Sequence, residues 1–137
     1  MNRQNTDIGR AGEFLAAYVL ETHGVEVHHV DRAGADLWCK VQGSITTVQV
    51  KTCQRPKPTR KSSSVGYYSY LAQTKDVDWY CFVALDRELL IMRPVSVIMG
   101  RTLRISPLEF NEANQRRTIE EMIHAGTRAP GAGSADG

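Results

Sequence analysis

The sequence predicts a mixed α/β (α+β) domain in the order helix, three strands, loop, two strands, helix, and three features predict it. Apolar residues near the N-terminus recur at helical spacing, while the middle of the chain alternates apolar and polar residues through two strands and a short turn. Further on, Ser106-Pro107-Leu108-Glu109 carries the pattern of a helix start, a capping box with proline at the first helical position.

The first helix has Thr6 or Asp7 as its expected cap and Gly24 as its stop. Ile8, Ala11, Gly12, Leu15, Val19 and Thr22 form the stripe expected to face the core. Arg10 and Glu21 lie roughly opposite, and Glu13 heads an intermediate row with Ala16, Ala17 and Leu20. Small residues in that row allow another element or a ligand to come close. Strands are expected over Val25 to Val30, Leu37 to Gln42 and Ile45 to Cys53, the last two joined by a Gly-first turn at Gly43-Ser44. Gln54 to Gly66, rich in proline, serine and basic residues, reads as a loop. Trp79 to Leu85 and Glu88 to Arg93 read as strands around Asp86-Arg87. A helix interrupted near Asn111 to Arg117 then runs towards His124. Residues 1–125 are thus expected as one domain, and 126–137 as a flexible tail rich in glycine and alanine.

Composition agrees with one core-forming domain: 137 residues, 42% hydrophobic and 23% charged. No apolar run approaches the ~20 residues that span a bilayer, and no signal-type segment follows Met1, so a cytoplasmic protein without membrane partners is expected. Seventeen Lys/Arg against fifteen Asp/Glu leave only +2, too little to announce a nucleic-acid binder. The distribution says more. Lys51, Arg55, Lys57, Arg60 and Lys61 follow one another with no acid between them. Cys39, Cys53 and Cys81 have neither the number nor the spacing of a disulfide or zinc framework.

A two-residue turn at Gly43-Ser44 sets Asp36 opposite Lys51 and Trp38 opposite Gln49. Alternation then places Asp36, Trp38, Lys40, Gln49 and Lys51 on one face, and Leu37, Cys39, Val41, Val48 and Val50 on the core face. A one-residue slip would bury Asp36 and Lys51.

Gly34-Ala35-Asp36, a short hairpin, Gln49-Val50-Lys51 and a preceding helix with Gly12-Glu13 together resemble the PD-(D/E)XK nuclease superfamily. The resemblance spans about Gly9 to Thr52 and implies a restriction-endonuclease-like core, an N-terminal helix followed by a mixed sheet with flanking helices. It implies that Asp36, Gln49 and the Val50 carbonyl bind Mg²⁺, with Mn²⁺ as a substitute, and that Glu13 assists directly or through water. Oxygen ligands suit such a hard cation. Lys51 matches the lysine that orients the attacking water and steadies phosphate charge. Facing Asp36, it is held cationic and suits charge stabilisation better than proton abstraction. Two departures stand out: Gln49 replaces the usual acid, removing one negative charge from the ligand set, and Ala35 replaces the usual proline.

The plain alternative for Asp36 and Lys51 is a solvated cross-strand ion pair, worth under ~1 kcal/mol. Glu13 could equally be an acid favoured by the helix dipole. His28 and His29 point to opposite faces, while His23 and His124 end helices. Trp38 either stacks on a base or packs under the last helix, the latter being expected. Arg55, Lys57, Arg60 and Lys61 are positioned for a DNA backbone, with Tyr67, Tyr68 and Tyr70 following as groove contacts or a plug at the sheet edge. The function implied is a Mg²⁺-dependent endonuclease on double-stranded DNA, a homodimer or homotetramer, serving restriction, homing or repair in a bacterial, phage or organellar setting. A Holliday-junction resolvase and a non-catalytic DNA-binding module on the same fold are the alternatives.

Overall fold

Every residue of Trp79–Ala84 is buried, which is the burial of a strand covered on both faces, and this strand organises the rest of the molecule. The computed structural model describes residues 3–32, 34–58, 66–73 and 76–127, with side chains placed except at 3–5, 32, 126 and 127. Its elements run α1 (Arg3–Thr22), β1 (Glu26–Arg32), β2 (Ala35–Val41), β3 (Ser44–Cys53), β4 (Tyr68–Leu71), β5 (Trp79–Ala84), β6 (Leu89–Pro94), β7 (Thr102–Ile105) and α2 (Glu112–Thr127). The order β1-β2-β3-β5-β6 makes a five-stranded sheet, parallel between β3 and β5 and antiparallel elsewhere, and β4 pairs with β7 in a separate ribbon. The predicted mixed α/β architecture, with its N-terminal helix, mixed sheet and C-terminal helix, is the observed one.

Three layers result. Ala16, Val19 and Leu20 of α1 and Ile119 and Met122 of α2 bury against Leu37, Cys39, Val48, Val50, Cys81 and Met92 of the sheet. On the other face, Tyr68, Tyr70, Ile105 and Phe110 cover Tyr80, Phe82, Ala84 and Ile91. Each fully buried large side chain stabilises the fold by about 1.5–3 kcal/mol relative to exposure. Both helices therefore lie on one face and the ribbon on the other. The ribbon is what the sequence hides: β4 and β7 have four residues each, too short for a clear alternation. Tyr68 and Tyr70 are core residues rather than groove contacts, and Tyr67 alone of the three is exposed. Trp38 belongs to the ribbon-side cluster, so it does not pack under α2.

The hairpin between β2 and β3 corrects the expected register. Gln42 and Gly43 are its turn residues, both at positive φ (52° and 85°), and Val41 pairs with Ser44. Two positive φ values give the turn whose twist matches the strands, and it outcompetes the Gly-first turn at Gly43-Ser44. Trp38 consequently faces Thr47 and Lys40 faces Ile45, so the expected pairings of Trp38 with Gln49 and Asp36 with Lys51 do not form. The slip is two residues, an even number, and the assignment of faces survives it.

The helices also differ in detail. α1 begins at Arg3, before Thr6 and Asp7, and ends as expected at Gly24, whose φ of +86° closes a Schellman turn with Val25 N–H on Leu20 O and Gly24 N–H on Glu21 O. Its buried face is rotated from the expected stripe. Gly12, Ala16, Val19 and Leu20 are buried, while Ala11 and Thr22 are exposed. The small residues of the Glu13 row thus turn towards the sheet. Ser106 caps a single 3₁₀ turn, Pro107–Glu109, and the break falls at Phe110-Asn111 rather than through the polar stretch. Asn111 Oδ1 then caps α2 by accepting the Asn114 N–H at 2.8 Å. α2 continues through Gly126 and Thr127, two residues into the expected tail, and 128–137 lie outside the described residues.

Candidate metal and nucleic-acid site

Asp36 is the second residue of β2, and its half-buried carboxylate leaves the strand ladder to accept the Val50 N–H of β3 through Oδ2 at 2.8 Å. This bond, not an ion pair with Lys51, fixes the acid. The ion pairs found among the described residues are His28–Glu26, Arg93–Glu109 and Arg117–Glu121. Burial raises the Asp36 carboxyl above the usual carboxylate range. The Val50 N–H and the nearby Lys51 charge pull it back, and Asp31 pushes it up again.

Gln49 and Lys51 flank Val50 in β3, and alternation sends both away from the helix-side core to which Val50 belongs. Gln49 Oε1 is buried and has no hydrogen-bond partner among the described residues. An orphaned amide oxygen costs about 1–3 kcal/mol of desolvation unless something meets it, and a hard cation is a suitable partner. With Asp36 beside it, this oxygen fits an Mg²⁺-type ligand set. The carboxylate content is nonetheless low: no group of three His, Cys, Asp or Glu side chains capable of holding a metal occurs among the described residues.

Glu13 lies on α1 next to Gly12, where the helix approaches β3 closely. Its carboxyl is raised by burial first and by the Asp36 charge second, lowered by Arg10 and raised further by Asp31. The Asp36 charge on β2 thus acts on Glu13 of α1. Asp31, at the end of β1, is the one charged neighbour that sequence reasoning passed over, although it lies only five residues before Asp36.

Beyond Lys51 the chain borders an open groove of about 490 Å³, lined by Ile8, Thr52 to Pro58 and Ser69. Arg55 and Lys57 are exposed on this groove. Lys57 forms a two-way backbone bridge with Tyr67, N–H to O at 2.9 and 3.2 Å, which closes the base of the basic loop. Gly66 is required there, since a Cβ would stand 1.4 Å from the Lys57 carbonyl oxygen. Arg60 and Lys61 lie outside the described residues. Nothing in the sequence marks Ile8 or Ser69 as groove residues, because only the fold brings them to it.

Three of the histidines have contacts of their own. His28 Nε2 lies 2.6 Å from Glu26, His29 packs its ring on Phe14, and His23 Nδ1 lies 3.0 Å from Val19 O at the end of α1. Cys39 and Cys81 are buried, and burial pushes the Cys39 thiol up to about 12. All three cysteines are free.

No protein-family model and no curated protein matches the sequence. The fold is similar to that of the bacterial homing endonuclease I-Ssp6803I, with a TM-score of 0.67 and 20% identity over 88% of this chain and 91% of that one.

Proposed function

We propose that this chain is a Mg²⁺-dependent endonuclease acting on double-stranded DNA, of homing or restriction type. The observation that carries the reading is one juxtaposition. The Asp36 carboxylate, held by the Val50 N–H, shares its surroundings with the buried, unpartnered Gln49 Oε1 and the half-buried Lys51. The fold likeness to a bacterial homing endonuclease supports it and favours the homing type over restriction.

Asp36, Gln49 and the Val50 carbonyl would hold the cation, with Glu13 assisting directly or through water. A bound divalent ion would make water a better nucleophile and offset charge on the phosphate. Lys51 orients the phosphodiester and stabilises the charge that develops on it. Arg55 and Lys57 meet the DNA backbone along the groove, as Arg60 and Lys61 are expected to do. Cutting both strands of a duplex takes two such sites, so the working form is a homodimer or homotetramer.

One observation favours a second reading. With no group of three His, Cys, Asp or Glu side chains among the described residues, the same surface would serve as a DNA-binding module with no catalysis. A single experiment separates the two. Supercoiled and linear duplex and four-way-junction DNA are incubated with Mg²⁺ or Mn²⁺ and wild type, Lys51→Ala or Asp36→Asn. Metal-dependent cutting of duplex, abolished by both substitutions, is expected, with discrete bands if a sequence is read. Preference for the junction would identify a resolvase. Salt-dependent binding with no cutting by any form would overturn the enzyme and leave the module.

A further inference from the structure

α1 approaches the sheet closely at Gly12. A Cβ there would lie 1.8 Å from Thr52 Oγ1 and 2.8 Å from both Thr52 Cβ and Cγ2, so no side chain fits unless the helix or the strand moves. The two partners are each next to a residue of the candidate site. Glu13 follows Gly12 on α1, and Thr52 follows Lys51 on β3, two residues after the Val50 N–H that holds Asp36. Three residues earlier on the same helix, a Cβ at Gly9 would meet nothing within 4 Å. The need for glycine is therefore local to position 12 and does not belong to the helix as a whole.

We propose that Gly12 and Thr52 are positioning residues: their contact sets the distance from Glu13 to Asp36 and Gln49, and so the cation affinity of the site. The proposal rests on the nuclease reading. Nothing in it requires either residue to touch metal or DNA. Gly12 allows α1 to descend, and the Thr52 side chain is the surface that stops it. Because Glu13 is attached one residue along, a lift of α1 by a few tenths of an ångström is passed directly to its carboxylate.

The two glycines provide an internal control. Alanine at either position gains the same intrinsic helix preference, so a difference between Gly9→Ala and Gly12→Ala reports the contact. Mn²⁺ affinity of the metal-free protein is measured by calorimetry, and cleavage rate is followed against Mg²⁺ concentration. The variants are Gly9→Ala, Gly12→Ala, Thr52→Ala, Thr52→Val and the Gly12→Ala/Thr52→Ala double. Gly12→Ala is expected to weaken Mn²⁺ binding about 10-fold, the size of loss typical when support behind a metal ligand is removed. It should raise half-saturating Mg²⁺ while leaving metal-free DNA binding unchanged. Gly9→Ala should match wild type, and the double variant, which removes Thr52 Oγ1 and Cγ2 but keeps its Cβ, should recover part of the affinity. Thr52→Val, which keeps the shape of the contact, should match wild type in Mn²⁺ affinity, whereas Thr52→Ala should bind Mn²⁺ less tightly.

Equal Mn²⁺ affinity in Gly12→Ala and Gly9→Ala would overturn the proposal, as would a double variant no better than Gly12→Ala. If Gly12→Ala does not fold, the Thr52 pair decides, and equal affinity of the valine and alanine variants would overturn it. These failures leave cleavage by wild type, and its loss in Lys51→Ala, intact. A wild type that neither binds Mn²⁺ nor cuts DNA would instead remove the nuclease reading, and the positioning role with it.

Discussion

Asp36 and Glu13 are acids held in surroundings that oppose their charge, and this has a measurable sign. The carboxyls of both are raised in the fold, mainly by burial. Their stabilising contribution is thus complete below the unfolded carboxylate range and lost as pH rises through the raised values. The metal-free protein should resist urea better in mild acid than at neutrality, and Asp36→Asn should flatten this dependence and raise the melting midpoint while abolishing cleavage. Added Mg²⁺ should reverse the trend, since protons and the cation compete for the same oxygens. Gln49 allows a complementary test. Gln49→Glu restores the missing charge and should tighten Mn²⁺ binding by roughly tenfold while lowering metal-free stability, both read in the same titration and melt. Unchanged affinity would show that Gln49 Oε1 does not face the cation. Much of this residue-level site was legible in the sequence, because Asp36, Gln49 and Lys51 fall on one face under any even register. The bond that fixes Asp36 was not, since it depends on where the Val50 N–H points.

At the level of elements, the outer strands of the sheet are closed by side chains. On β6, the Leu90 N–H is accepted by Gln115 Oε1 at 3.0 Å and the Met92 N–H by Thr118 Oγ1 at 3.1 Å, both from α2. On β1, Glu21 accepts the Val27 N–H at 3.0 Å. Such acceptors protect sheet edges from pairing with another chain. Thr118→Val should leave the Met92 N–H buried and unpartnered, at a cost of about 1–3 kcal/mol by urea unfolding, with DNA cleavage retained. A loss under a few tenths would mean that another acceptor replaces Thr118. The C-terminal end of α1 and the existence of β5 and β6 could be read directly, through Gly24 and a dense apolar run. β4 and β7 could not, because four-residue strands owe their form to the sheet they cover.

For the molecule as a whole, the groove along Thr52 to Pro58 gives DNA binding an expected salt signature. Arg55→Ala and Lys57→Ala should each reduce the slope of log affinity against log salt by about one, measured on non-cognate duplex in the absence of metal. An unchanged slope would remove that residue from the phosphate path. No helix is long and apolar enough to cross a membrane among the described residues.

The sequence by itself determined what depends on periodicity and local chemistry. That includes the mixed α/β class, the helix-then-sheet order, the core face of the β2–β3 hairpin, and the assembly of Asp36, Gln49 and Lys51 on the opposite face. Hydrophobic alternation has period two, so these assignments survive the two-residue error in register. Tertiary structure alone decided the register itself, the rotation of α1, the side of the sheet that takes each helix and the ribbon on the other side. It also brought Glu13 within reach of the Asp36 charge. Each of these depends on contacts between residues far apart in the chain, above all Gly12 against Thr52 and Asp36 against Val50, whose energies no local pattern carries.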